Sequence, residues 1–296
     1  MKVLITGSQG QLGKALIKFK PSNTEIFAMD RNNFDFLDIS SCLKTINAIN
    51  PDWIINCGAF TNVDLAESQK ETVMKINYKA PQAFALEIKR LGGKFLQIST
   101  DYVFNGRKKN KIPYSTTDKR SPLGIYGLSK VYAEEALEEI FKNSYQGVIL
   151  RTSWLMSPVG RNFLLTILNL HSTNKEIKVV KDQIGSPTST FSLADICWRI
   201  IKLKNFYLIF NKNKNKILHW RDNGETNWYE IALMISNYSK EIGLIKSNTK
   251  IIPIKTYQYP SLVNRPSYSV LNCDLTKNLL SYQGKDWKVC LKEILK

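Results

Sequence analysis

The chain has 296 residues, 43% hydrophobic and 23% charged, a balance that suits one large α/β domain or one domain beside a smaller lobe. No run approaches about 18 apolar residues, which excludes a membrane-spanning helix, and five scattered cysteines (Cys42, Cys57, Cys197, Cys273, Cys290) with no CxxC spacing exclude a disulfide framework. The net charge of +17 gathers in lysine runs, residues 107–111 and 211–216, that lack interleaved aromatics, so they read as a lysine- and asparagine-rich surface and not as a nucleic-acid or membrane site.

The free thiols point to a reducing compartment, the cytoplasm. Residues Met1–Ile5 meet Gly7 too soon for the apolar stretch of a signal peptide, so none is expected. The first strand is predicted over Val3–Thr6 and runs into Gly7-Ser8-Gln9-Gly10-Gln11-Leu12-Gly13. Glycines at this spacing let the chain turn sharply into a helix and let a pyrophosphate approach the backbone. The free N–H groups of the helix N-terminus then face the anion. The spacing is not GxGxxG, and a plain strand–helix turn uses the same residues. Its place directly after the first strand favours a dinucleotide loop of Gly7, Gly10, Gln11, Leu12 and Gly13.

The second strand, over Glu25–Ala28, leads to Asp30-Arg31. An acid there accepts from an adenosine ribose hydroxyl, whereas a neighbouring arginine pairs with a 2′-phosphate. The two residues argue in opposite directions, and the choice between NADH and NADPH stays open with a lean to NADPH or dual use. Asp38-Ile39 can hydrogen-bond and pack against adenine, or simply form a turn. The third strand, over Trp53–Asn56, follows Asn50-Pro51-Asp52 and ends in Cys57-Gly58-Ala59. Small residues at a carboxyl strand end leave room for a cofactor, or allow close helix packing. The fourth and fifth strands are predicted over Lys94–Ser99 and Gly147–Arg151. Amphipathic helical stretches follow the first, third and fourth strands. This alternation predicts a Rossmann-type, doubly wound parallel sheet over residues 1–155 with right-handed crossovers.

Two segments between the fourth and fifth strands carry chemistry. Ser99-Thr100-Asp101-Tyr102-Val103-Phe104 places hydroxyls at a strand's carboxyl end, where one can bond a substrate oxygen or cap a local turn. Tyr126-Gly127-Leu128-Ser129-Lys130 places an ammonium four residues after a phenol. On a helix these share one face, and the ammonium favours phenolate in a group whose ordinary pKa is about 10. No other tyrosine in the chain has a lysine at that offset. A surface helix pair would have the same spacing.

Residues 156–296 are less regular and predict a smaller C-terminal α/β substrate-binding lobe, with possible crossings back to the first domain. Helices are expected over residues 162–169 and 227–236, a helix and a strand within residues 193–210, and a loop at Asn264-Arg265-Pro266. His171 and His219 alone cannot form a histidine metal cluster, so no metal is expected and both read as surface or packing residues. Trp220, Trp228 and Trp287 read as packing groups.

Several blocks occur in family order along nearly the whole chain. They are Gly10 through Gly13, Asp64-Leu65-Ala66-Glu67, Ser99 through Phe104, Tyr126 through Lys130, Arg151-Thr152-Ser153-Trp154, Gly160-Arg161-Asn162-Phe163, Asp182 through Thr188, and Arg265-Pro266. In these the chain resembles the dTDP-4-dehydrorhamnose reductases, extended short-chain dehydrogenase/reductases of nucleotide-sugar metabolism. The resemblance implies a catalytic trio of Thr100, Tyr126 and Lys130, and reduction by NADPH or NADH of the C4 ketone of dTDP-4-dehydro-β-L-rhamnose. It places Tyr102, Trp154 and Asn162 beside Thr100 and Tyr126 on the substrate side, and Arg265 near the nucleotide diphosphate. Tyr126 and Lys130 also meet the nicotinamide ribose. Some relatives carry a glutamate, used in a magnesium-linked dimer, where this chain has Ala15, so a monomer or weak homodimer is expected. Two other readings stay open. Asp101 beside Thr100 is the kind of added acid that a nucleotide-sugar dehydratase or epimerase uses. A non-catalytic regulatory subunit would share the fold, although the intact trio argues against it.

Overall fold

The computed structural model describes residues 1–204, 206–207, 210, 216–246 and 248–296, apart from the side chain of Lys109. The expected surface run at 211–215 lies outside the described residues. Lys216, which closes that run, is buried and donates to the Phe210 carbonyl, so it is not part of a solvated patch.

Six parallel strands form the central sheet: β1 (Lys2–Thr6), β2 (Glu25–Met29), β3 (Trp53–Asn56), β4 (Lys94–Thr100), β5 (Gly147–Thr152) and, far along the chain, Ile217–His219. Their spatial order is Ile217–His219, β5, β4, β3, β1, β2. Alternate residues of each strand enter opposite cores, as the two-residue period requires. Val3, Ile5, Trp53, Ile55, Leu96, Val148 and Leu150 face one side, while Leu4, Ile54, Phe95 and Ile149 face the other. Both faces are buried, which explains why these strands read as continuous apolar runs.

Helix α1 (Gln11–Lys18) and helix Thr190–Ile201 cover the first face, and the Trp198 indole donates to the Leu16 carbonyl at 3.2 Å. Helix α2 (Ile39–Ile49) covers the second with Ala80–Arg90 and Ile125–Ile140. The sequence reading placed no helix after the second strand. Asp38 starts one, accepting the Ser41 N–H at 3.1 Å. The strand expected within residues 193–210 is absent from the described part of that span; helix Thr190–Ile201 fills its start, and the strand comes later, at Ile217–His219. The helix expected in this span is thus present, with its apolar face buried on the sheet and its Asp195–Arg199 pair toward solvent.

A further core gathers the helices Phe163–Thr173, Trp228–Glu241 and Trp287–Leu295 around the strand Glu176–Val180, which pairs in parallel with Lys250–Ile254. Asn162 and Asn227 cap the first two of these helices, each accepting an N–H three residues on. Trp220 and Trp287 are buried in packing positions, as are His171 and His219.

Candidate active site

The sheet order places β1 between β2 and β3, so the connection from β1 runs to β2 on one side while that from β3 runs to β4 on the other. That reversal opens a crevice at the carboxyl ends of β1 and β3. Gly7 and Gly58 line it. Gly7 has φ +63°, and a Cβ there would lie 2.8 Å from the Gly58 Cα. Only glycine fits such a turn against another backbone. A Cβ on Gly13 would come within 2.4 Å of the Gly7 carbonyl oxygen, so the start of helix α1 packs directly on the loop. Gly10 precedes that helix with no side-chain cap, leaving its first N–H groups for an anion. A bare helix start, a glycine cradle and a crevice at the strand reversal together fit a dinucleotide.

Around this crevice, Asp30 closes its own loop, accepting the Asn32 N–H at 2.8 Å, and Arg31 is exposed. Asp38 is engaged in capping α2, and Ile39 packs against the second core. Cys57 and Ala59 flank Gly58, whose N–H donates to the Thr6 hydroxyl at 3.1 Å. Burial pushes the Cys57 thiol up, so it is no nucleophile at neutral pH.

Thr100 ends β4, and Tyr126 lies in the first turn of the helix Ile125–Ile140. The start of that helix is set by Glu67, whose Oε1 accepts the Ile125 N–H at 2.7 Å. The sequence reading quoted Glu67 within a matched block but gave it no role; a carboxylate at a helix N-terminus is its physical signal. The Tyr126 phenol lies by the Thr100 hydroxyl, which itself donates to Asp101 Oδ1 at 3.2 Å, and its ring meets Tyr102 edge-on at 5.7 Å between centroids. Burial raises the Tyr126 phenol above its ordinary range, the Thr100 hydrogen bond opposes that, and the charge on Asp101 adds to it. The phenol is therefore held protonated at neutral pH.

Lys130 follows one turn later and is buried. Its Nζ donates to the Ile98 carbonyl at 2.7 Å. Burial lowers it to about 8, with Glu134 and Cys57 pulling the other way. Glu134 is thus the charge that faces it at neutral pH, and the phenolate support expected from Lys130 is not expressed as a direct contact with Tyr126. One turn further on, Glu134 accepts from Arg151 through both carboxylate oxygens (2.9 and 2.6 Å), from Arg120 at 2.6 Å and from Ser99 at 2.5 Å. These charges compensate one another inside the protein, as buried ions must. Ser99 therefore serves the ion network, and Thr100 is the hydroxyl that meets Tyr126.

Asp101 is buried beside Thr100, and burial raises it to about 6 against hydrogen bonds from Ser269 and Thr100. Burial likewise raises Tyr102 to about 12, opposed by the charge of Arg265. Arg265 pairs with Asp64 at 3.3 Å, a partner the sequence did not assign. Trp154 follows the end of β5, where Thr152 is the register partner of Thr100. The Asn162 amide is engaged within the protein: it donates to Gln11 Oε1 and to the carbonyls of Ser157 and Val159, and accepts the Leu165 N–H. A separate cavity of about 760 Å³, lined by Phe19, Phe191, Trp198 and Tyr282 among others, contains none of the predicted site residues. Among the described residues no group of three or more His, Cys, Asp or Glu is placed to hold a metal ion, and no helix is long and apolar enough to cross a membrane.

An acid phenol, a hydroxyl partner and a buried ammonium thus lie beside a dinucleotide crevice, an arrangement suited to hydride and proton exchange at a carbonyl. The comparisons agree. The RmlD substrate binding domain family matches residues 1–296. The spore coat polysaccharide biosynthesis protein SpsK of Bacillus subtilis is 36% identical over 295 residues, covering 99% of this chain and 96% of that protein. The dTDP-4-dehydrorhamnose reductase of Aggregatibacter actinomycetemcomitans is 32% identical, covering 99% and 98%. The crystal structure of dTDP-4-dehydrorhamnose reductase from Bacillus anthracis in complex with NADP superposes with a TM-score of 0.86 at 30% identity, covering 99% and 98%.

Proposed function

The chain belongs to the RmlD family of dTDP-4-dehydrorhamnose reductases, and on that premise we propose that it reduces the C4 ketone of dTDP-4-dehydro-β-L-rhamnose to dTDP-L-rhamnose with NADPH, or with NADH in its place. The observation that carries this reading is the Tyr126 phenol beside Thr100 and Tyr102 at the carboxyl end of β4, with the Lys130 ammonium buried one helical turn on and held by the Ile98 carbonyl.

The loop from Gly7 through Gly13 holds the pyrophosphate, Asp30 and Arg31 face the adenosine ribose, Asp38 and Ile39 lie toward adenine, and Cys57, Gly58 and Ala59 floor the crevice. The bound nicotinamide supplies the hydride. Tyr126 Oη gives its proton to the carbonyl oxygen as that oxygen gains negative charge, so C4 keeps its oxygen as a hydroxyl and the phenol is left as phenolate. Thr100 orients the oxygen and stabilises the phenolate by hydrogen bonding. Lys130 adds positive charge on the same helix face, and Glu134 helps keep that lysine protonated. Proton transfer by a positioned group of this kind contributes about 10²–10⁴-fold in rate. Tyr102, Trp154, Asn162 and Arg265 form the substrate side, with Asn162 acting through the backbone it fixes.

Residues 1–155 hold the cofactor and residues 156–296 mainly the sugar nucleotide. The helix Thr190–Ile201 and the strand Ile217–His219 cross back to the sheet. Ala15 packs inside the first core, which supports a monomer or weak homodimer without a metal-linked interface at that position. The enzyme works in the cytoplasm, on a route to surface polysaccharide. Incubation with dTDP-4-dehydrorhamnose and NADPH tests the activity. The expected result is cofactor oxidation matched mole for mole by dTDP-L-rhamnose. An isomerised or dehydrated product with the cofactor unchanged would instead assign the Asp101 carboxyl to dehydratase or epimerase chemistry.

A further inference from the structure

Trp154 is the one bulky side chain of the predicted site whose backbone is left-handed, at φ +45°. An aromatic residue pays for that conformation, and it persists only where its surroundings fix it from several sides. Here they do. The Trp154 carbonyl accepts the Thr188 N–H at 3.1 Å, the Ser153 hydroxyl donates to the Ser186 carbonyl at 2.7 Å, and Thr152 bonds Thr188 through their hydroxyls at 3.2 Å. The ring itself is fixed by two further contacts. Its edge lies over Gly185, where a Cβ would come within 2.4 Å of Trp154 Cζ2. Its face lies on the Trp228 indole, with centroids 3.9 Å apart and planes 16° from parallel.

Trp228 is anchored in turn. Its Nε1 donates to Gln183 Oε1 at 3.2 Å, and Phe163 packs on it at 4.7 Å. Asn227, immediately before it, caps its helix. Residues from four parts of the chain converge to hold one indole, and Trp154 remains partly exposed at the strand end next to Thr100. Trp154, Phe163 and Trp228 together pack on the edge of the core formed by Met156, Leu164 and Ile231. A flat ring held rigid beside a reacting carbonyl suits the apolar face of a pyranose.

We propose that Trp228 is a positioning and specificity residue, which holds the Trp154 indole as a platform for the hexose ring of the sugar nucleotide. The inference rests on the functional reading for the identity of the sugar. It assigns to Trp228 a share of the sugar's affinity and none of the nucleotide's.

The test measures binding of dTDP and of dTDP-L-rhamnose by tryptophan fluorescence quenching to the wild type and to Trp228→Ala, Trp228→Phe and Trp154→Ala. In Trp228→Ala, dTDP-L-rhamnose is expected to bind about tenfold more weakly, a change of about 1.4 kcal/mol. Binding of dTDP changes less than about twofold, because the nucleotide makes no contact with the platform, whereas the loss of about tenfold for dTDP-L-rhamnose is of the size of one lost aromatic contact. Trp228→Phe restores most of the difference. The circular-dichroism couplet of the stacked indoles disappears in both alanine variants. In turnover, KM rises while kcat at saturation stays close to wild type. Equal losses for dTDP and dTDP-L-rhamnose, no loss for either, or a fall in kcat with KM unchanged would overturn the proposal. Absence of keto-sugar turnover in the wild type would instead sink the functional reading, and the two-ligand comparison would still decide the role of Trp228.

Discussion

Gln11 and Asn162 stand 151 residues apart and share a hydrogen bond of 3.0 Å, while the Gln11 amide donates back to the Arg161 carbonyl at 3.1 Å. Gln11 opens the helix that follows the glycine loop, and Asn162 caps the helix Phe163–Thr173. One pair of amides therefore ties the cofactor end of the molecule to its substrate side.

Replacing Asn162 tests that tie. Asn162→Ala removes a helix cap, worth about 1 kcal/mol, and leaves the Ser157 and Val159 carbonyls short of a donor, so a total loss of about 2 kcal/mol is expected in urea unfolding. Gln11→Ala should cost about 1 kcal/mol. Because the two side chains touch, the double variant should be more stable than the sum predicts by at least about 0.5 kcal/mol. Strict additivity would mean that the bond contributes nothing.

Tyr126→Phe keeps the ring and its contact with Tyr102 but removes the proton. Turnover should fall by about 10²–10⁴-fold, with NADPH affinity within about twofold of wild type and an unchanged thermal midpoint. Unchanged turnover would remove Tyr126 as the acid.

The ease of reading this chain followed burial. The five N-terminal strands feed apolar side chains into the sheet's cores, so their positions were legible to within a residue or two, as was the placing of Tyr126 and Lys130 on one helix, although Lys130 bonds the Ile98 carbonyl and not the phenol. Most of the lapses have a deciding partner distant in sequence; Lys216, which bonds the Phe210 carbonyl, is the exception. The helix expected within residues 193–210 is present as Thr190–Ile201, but nothing local shows that the strand comes only at Ile217–His219, where it joins β5. Nothing in Arg151-Thr152-Ser153-Trp154 announces that the arginine crosses to Glu134, or that the tryptophan takes a left-handed backbone. Asn162 was read as a substrate contact, yet its amide is taken up by Gln11 and two carbonyls. Lys216 was read as part of a solvated run and is buried. Asp64 and Glu67 were visible as a block, but only the fold shows one pairing with Arg265 and the other capping the helix of Tyr126.

The ion network under the site should be costly to break. Glu134→Gln leaves buried Arg151 without its carboxylate, while Arg120 keeps Glu138 at 2.5 Å, and removing one partner of a buried pair typically costs about 3–5 kcal/mol. Arg151→Met should cost a similar amount. The double variant Glu134→Gln with Arg151→Met should recover part of the loss, because it no longer buries an unpaired charge. Chemical denaturation of the four proteins checks this, and equal stability of the single variants and the wild type would make the network energetically idle.

Lys130 gives the site a pH dependence whose sign can be worked out. Burial lowers the ammonium from its ordinary 10.5 to about 8, so the charge that supports proton transfer is present below about pH 8 and is lost above it. Turnover should therefore decline along an alkaline limb near pH 8. Lys130→Arg, whose guanidinium stays charged, should remove that limb even if its absolute rate is lower. Stability moves the other way. Between about pH 8 and 10.5 the unfolded chain holds a proton on this lysine that the folded chain has released, so this residue's contribution makes the fold more stable as pH rises through that window. The buried cysteines work against it there, since their raised pKa values keep protons on the folded chain that the unfolded chain releases. The useful quantity is consequently the difference between wild type and Lys130→Met in urea unfolding at several pH values. That difference should shift in favour of the wild type by up to about 3 kcal/mol across the window, from about 1.36 kcal/mol per pKa unit. A pH-independent difference, together with turnover that is flat through pH 8, would show that Lys130 does not titrate in this range and that its charge does not govern the reaction.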